Sequence, residues 1–187
     1  MNLPSIAAPR SGVIRLRYCL VLAAPLAALL VAPVQAAGLA LRLEISRLQV
    51  AEYHRPYVAV WLEGKDQQFV RNLAVWYDLK REDREGTKWL KDMRQWWRKS
   101  GRELDMPVDG LSGATRPPGE HRLVFAAGKP PLEELPAGDY QLVVEAAREV
   151  GGRELLKLPF AWPPAGVQSL QVKGQHELGV IALELQP

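Results

Sequence analysis

The residues best suited to chemistry lie together in one short stretch, Val108 to Glu120, VDGLSGATRPPGE. It holds two alcohols (Ser112 and Thr115), the carboxylate of Asp109 and the guanidinium of Arg116, set among Gly110, Gly113, Gly119 and Pro117-Pro118. Glycine and proline at this density predict a loop. A threonine on such a loop can be presented to the active site of a second protein, as a threonine inside a strand cannot. Other chemistries find little support. G-x-S-x-G is absent, and Gly110-Leu111-Ser112-Gly113 has the wrong spacing for a nucleophile elbow. His54, His121 and His176 are scattered without metal-ligand spacing.

Asp109, Ser112, Gly113, Ala114 and Thr115 spell D-x-x-S-G-A-T. This pattern resembles the acceptor sequence of the bacterial flavin transferase, which attaches FMN through a phosphoester bond. The best-known acceptors are FMN-binding subunits of the sodium-pumping NADH:quinone reductase and its Rnf relatives. The resemblance implies that Thr115 receives the flavin. Gly113 and Ala114, almost without side chains, would then let the backbone approach the phosphate closely. Free N–H groups of the loop would donate to phosphate oxygens. Arg116, adjacent to Thr115, is the natural phosphate neighbour. Asp109 is assigned to recognition or positioning, because a carboxylate beside a phosphodiester repels it.

A second resemblance covers most of the chain. His54-Arg55-Pro56-Tyr57-Val58-Ala59-Val60-Trp61, Trp89-Leu90 with Trp96-Trp97-Arg98, and Gly138-Asp139-Tyr140 with Glu145-Ala146-Ala147-Arg148-Glu149 are its carriers. Together, over about residues 41 to 162, they resemble an uncharacterised family of predicted periplasmic domains often encoded near or fused to PepSY membrane proteins. The implied role is extracytosolic electron transfer, with a PepSY-type membrane protein as redox partner.

The amino terminus agrees with export. Arg10, Arg15 and Arg17 form a positive region, Tyr18 to Val31 is an uncharged apolar run, and Val34-Gln35-Ala36 supplies small residues for a signal peptidase. Cleavage is expected near Ala36. The apolar run is short for a membrane span and is interrupted by Pro25, although a retained anchor is the alternative. The formal charge of the whole chain is +3, and the three leader arginines account for all of it. Without them, 21 Lys and Arg face 21 Asp and Glu, which removes the hint of nucleic acid that a basic chain carries. Cys19, the single cysteine, lies in the leader. The mature chain therefore has no thiol for disulfides, nucleophilic catalysis, iron–sulfur clusters or thiolate zinc.

The elements that must position Thr115 are mostly short strands. Leu41, Leu43 and Ile45 alternate with Arg42 and Glu44. Further strands are expected at 57–62, 69–77, 121–126, 140–146, 154–160 and 178–185, with turns at 64–66, 138–139 and 151–152. Seven strands so spaced predict one domain over 37–187, a mainly β, two-sheet antiparallel sandwich of immunoglobulin-like type. Pro56 and Pro159 should mark strand ends or edges.

One segment departs from this pattern. Trp89, Leu90, Met93, Trp96 and Trp97 cover an arc of roughly 120° at helical spacing, predicting an amphipathic α-helix over 87–99. The stripe serves either as core or as an apolar face for an isoalloxazine ring, and Trp97, at its edge, is the candidate for the latter. The stretch 80–102 holds nine Lys and Arg against four Asp and Glu. That excess suits a solvated face, an FMN phosphate or an acidic partner.

The expected protein is thus a periplasmic flavoprotein with covalent FMN, shuttling electrons rather than turning over a small substrate. It would be matured by a flavin transferase. The alternative is a non-redox periplasmic binding module without a cofactor.

Overall fold

A computed structural model describes residues 38–187. The leader, its cleavage site at Ala36 and Cys19 lie outside the described residues.

The alternating pattern of Leu41, Leu43 and Ile45 forms β1 (Gly38–Ile45), with all three side chains fully buried. β2 (Tyr57–Gly64) is different, since its six central residues are all buried. Val58, Val60 and Leu62 face one layer while Ala59 and Trp61 face another, so the strand reads as a continuous apolar run. β3 (Phe69–Tyr77) pairs with β2 across a turn closed by the Gln67 N–H to Gly64 O bond.

After the helical segment come β4 (Ser112–Ala114), β5 (Gly119–Ala126), β6 (Gly138–Ala147), β7 (Arg153–Trp162), β8 (Gln168–Lys173) and β9 (Leu178–Gln186). They make a four-stranded sheet of order β5-β1-β9-β8 and a five-stranded sheet of order β4-β3-β2-β6-β7. All pairings are antiparallel except β3 with β4. The expected mainly β sandwich is therefore what the chain adopts. Pro56 directly precedes β2, and Pro159 lies in the edge strand β7. Gly138-Asp139 opens β6 instead of forming a turn.

Two apolar layers hold the structure. The larger lies between the sheets and includes Leu41, Leu43, Val60, Leu142, Ile181 and Leu183. Each of these fully buried side chains contributes roughly 1.5–3 kcal/mol relative to exposure. The smaller lies on the outer face of the five-stranded sheet, where Trp61, Val75, Tyr77 and Val143 meet Leu90, Met93 and Trp96.

That second layer explains how the helical segment differs from the expected α-helix over 87–99. The chain forms 3-10 turns over Glu82–Asp92, kinked where Asp83 and Arg84 take positive φ, then a break at Met93 and the six-residue α1, Arg94–Lys99. Leu90, Met93 and Trp96 are all buried. Leu90 belongs to the 3-10 turns, Met93 to the break and Trp96 to α1, so no single α-helical stripe runs through the five residues. Trp89 and Trp97 consequently fall off the buried line: Trp89 is 37% exposed and Trp97 half-buried.

The break is held from the sheet. Glu145, fully buried on β6, accepts the backbone N–H of Gln95 at 3.1 Å and of Trp96 at 2.8 Å, and pairs with Arg153 at 2.8 Å. Gly101 follows α1 with its backbone against Trp96, where a Cβ would come within 2.5 Å of the indole.

Candidate functional site

The expected loop at 108–120 is more ordered than its composition suggests. Ser112–Ala114 forms the short strand β4, running parallel to β3 with Val75, Trp76 and Tyr77 opposite Ser112, Gly113 and Ala114. The Thr115 N–H continues the ladder by donating to Tyr77 O at 3.1 Å. The motif therefore sits on a sheet edge, with Thr115 as the first residue beyond the strand.

Each motif residue has a definite local role. Asp109 is exposed, and its Oδ1 accepts the N–H of Gly110, which stands at φ +70° in the turn. The Ser112 hydroxyl accepts the Val108 N–H at 2.9 Å, closing the turn that enters β4. Gly113 lies against Trp76, so close that a Cβ would come within 2.9 Å of its ring. Ala114 is exposed.

Thr115 is half-buried and lines a cavity of about 250 Å³. Register explains why this cavity exists. β2 starts where β6 ends (Tyr57 opposite Ala147), and β3 and β4 finish beside one another (Tyr77 opposite Ala114). Four chain segments therefore meet at one end of the five-stranded sheet. Tyr53, His54, Arg55 and Tyr57 come from the approach to β2; Asp78 and Arg81 follow β3; Ala147 and Glu149 close β6. The 3-10 stretch adds Trp89 and Asp92 as an outer wall.

The electrostatics of the lining are mixed. Arg81 pairs with Asp78 at 3.5 Å, and His54 lies between Glu52 at 3.1 Å and Glu149 at 3.7 Å. Arg55 has no acidic partner among the described residues. Burial pushes the Tyr57 hydroxyl above the usual tyrosine range, against the lowering effect of the Asp78 backbone hydrogen bond. Burial likewise raises Tyr53. The Tyr57 hydroxyl donates to Gly86 O at 3.0 Å, while the Tyr53 hydroxyl is buried without a hydrogen-bond partner among the described residues. The lining sets two arginines against the carboxylates of Asp78, Asp92 and Glu149, so Arg55 is its one arginine without an acidic partner among the described residues, beside the aromatic faces of Tyr53, Tyr57 and Trp89.

Two of the expected site residues lie outside the lining of the Thr115 cavity. Trp97 does not share the Thr115 cavity; it lines a separate depression with Lys91, Arg94, Gln95, Arg98 and Arg153. The indole beside Thr115 belongs to Trp89, on the 3-10 turns before the break. Arg116 points elsewhere too. Its guanidinium lies over the Trp76 ring at 5.4 Å and, with Trp76 and His121, lines a different depression from the Thr115 cavity.

Of the lining residues, Thr115 belongs to the motif and Trp89 to the apolar stripe; the others carry no motif. The run Tyr53-His54-Arg55-Pro56-Tyr57 was the available signal: a dense aromatic and basic cluster directly before a strand. Among the described residues, no group of three or more His, Cys, Asp or Glu is arranged to hold a metal ion.

A family model described as "Predicted periplasmic protein (DUF2271)" matches residues 38–180. No curated protein and no solved structure matches the chain.

Proposed function

The chain belongs to the DUF2271 family of predicted periplasmic proteins, and from that premise we propose that it is a periplasmic electron carrier with one FMN joined by a phosphoester bond to Thr115. One observation carries the reading: the last residue of the acceptor-like motif lines a cavity walled by the rings of Tyr53, Tyr57 and Trp89, with Arg55 and the Arg81–Asp78 pair beside Asp92 and Glu149.

Attachment is a phosphoryl transfer performed by a flavin transferase acting on a phosphoanhydride donor of the FMN group. The Thr115 Oγ–P bond forms as the anhydride P–O bond breaks. The hydroxyl proton goes to the transferase's base, and the departing phosphate keeps the electron pair. The attached flavin supplies one- and two-electron chemistry. The residues of this chain would hold and orient it: Arg55 would meet phosphate charge, Tyr57 and Trp89 would offer apolar ring faces, and the Thr115 tether would prevent loss to the periplasmic volume. Asp109, exposed on the same edge, is free to meet the transferase. A PepSY-type membrane protein is the proposed redox partner.

The test is co-expression with a flavin transferase, followed by denaturation and a search for protein-bound flavin fluorescence and the FMN mass increment. Thr115→Ala should lose both signals and keep its fold, since alanine retains the N–H bond to Tyr77. Thr115→Ser should retain them. Unmodified wild-type protein would overturn the proposal.

A further inference from the structure

Nine Lys and Arg lie between 80 and 102, and five of them have acidic partners. Arg81 meets Asp78, Arg84 meets Asp105, Lys88 meets Glu85, Lys99 meets the buried Glu63, and Arg102 meets Glu103. Lys80, Lys91, Arg94 and Arg98 have none among the described residues. Three of these four, Lys91, Arg94 and Arg98, line one depression of about 390 Å³ with Trp97 and Arg153, and no acidic side chain lines it. Arg153 is itself compensated from beneath by Glu145. The free positive charge of the helical segment is thus concentrated at one place, not spread over a solvated face.

From this concentration we infer that the depression formed by Lys91, Arg94, Trp97 and Arg98 is the docking surface for an acidic face of a partner protein. Three features select that occupant. Lys91 precedes the break at Met93 and Arg94 and Arg98 follow it, so the cations are spread around a depression of about 390 Å³, wider than a single phosphate group. The surface is concave with one apolar lining side chain, Trp97, whereas a bilayer-binding face needs a broad apolar surface to insert. Guanidinium groups on a concave rim match projecting Asp and Glu side chains, which they hold in bidentate pairs.

The position has a consequence for access. The Thr115 cavity and the adjoining depression share Trp89, Asp92 and Glu149, and that depression shares Arg94 and Arg153 with the basic one. A protein seated on the basic surface therefore abuts the Trp89 wall. The inference stands on the charge pattern and does not require the flavin, so unmodified protein is the right material for its test.

The experiment uses the full chain expressed for export, purified in its mature form and labelled with nitrogen-15. Hexaglutamate is the acidic probe, and phosphatidylglycerol vesicles are the membrane arm. Hexaglutamate should shift the Trp97 indole and the backbone signals of Lys91, Arg94 and Arg98, and its binding should weaken steeply with added salt. The triple variant Lys91→Gln, Arg94→Gln, Arg98→Gln should weaken binding roughly tenfold, as loss of three interfacial charges does. The control Arg122→Gln, Lys129→Gln, Lys173→Gln, which removes as many exposed cations from elsewhere, should leave it unchanged. Equal effects of the two triple variants would overturn the inference. So would shifts mapping to another surface, or vesicle binding that hexaglutamate does not displace.

Discussion

Replacing Gly113 by alanine distinguishes a packing role from a purely chemical one for the motif glycine. Gly113 does not lie in the left-handed region, so alanine meets no backbone penalty there. With open space beside it, the change would stabilise the fold by about 0.4–1 kcal/mol, through reduced freedom of the unfolded chain. The structure predicts the opposite sign. An added Cβ would lie 2.9 Å from Trp76 Cδ1 and 3.3 Å from Nε1, and Trp76 is only 4% exposed. The indole cannot swing away freely, because it is buried and in contact with both Arg116 and His121. Overpacking of this kind costs about 1–3 kcal/mol. In a domain of this size that lowers Tm by roughly 3–10 °C. Urea unfolding of wild type, Gly113→Ala, Trp76→Leu and the double variant measures the effect as a cycle. In the Trp76→Leu background the alanine should cost little, leaving a coupling of about 1–2 kcal/mol. A stabilised Gly113→Ala, or equal costs in both backgrounds, would refute the reasoning.

Other perturbations probe the remaining supports. Glu63 is pushed up by burial, but hydrogen bonds from Lys157, Trp61 and Lys99 outweigh this and hold it below the usual glutamate range. Its stabilising effect is therefore complete above the ordinary glutamate pKa and lost as pH falls through the lower folded value. Urea midpoints between about pH 6 and pH 2 should fall more steeply for wild type than for Glu63→Gln. Glu145→Ala leaves the Gln95 and Trp96 N–H groups without their carboxylate and Arg153 without its partner. Unfolding should show a loss of about 2–4 kcal/mol, below the full cost of a broken buried pair because Arg153 can reach water. Trp89→Ala opens the outer wall of the Thr115 cavity at a partly exposed position, so stability should change little. Any flavin attached at Thr115 should become more fluorescent as its neighbouring indole is lost, as emission spectra of the loaded protein would show.

Much of the fold is legible in the sequence, and the gaps have physical causes. Strands with a clean alternation, such as Leu41-Leu43-Ile45, announce themselves because one face meets the core. β8 escapes notice because only Leu170 and Val172 point inward among Gln168, Gln171 and Lys173. β4 is invisible for a deeper reason: Ser-Gly-Ala has no strand preference, and only pairing with β3 extends it. Apolar residues at 89, 90, 93, 96 and 97 fit an α-helix, but the chain breaks at Met93, and the buried subset is shared among 3-10 turns, the break and α1. That break is held by the sheet beneath, through Glu145, and it decides which tryptophan reaches the Thr115 cavity. The cavity itself gathers residues more than sixty positions apart, by strand register. Thr115 was visible because its neighbours form a recognisable string; its surroundings carry no such string.

The place of β1 has a bearing on how the chain reaches its folded form. β1, the first strand, lies between β5 and β9, the latter ending at Gln186. A polypeptide passed through a membrane amino end first delivers β1 at the start and its second partner at the finish. Until the last residues emerge, Leu39, Leu41 and Leu43 have an unsatisfied edge and no complete layer to enter. Such long-range closure is slow, and the waiting strand is prone to pair wrongly. On the proposed export route, the four-stranded sheet is completed only once β9 has followed β1 across.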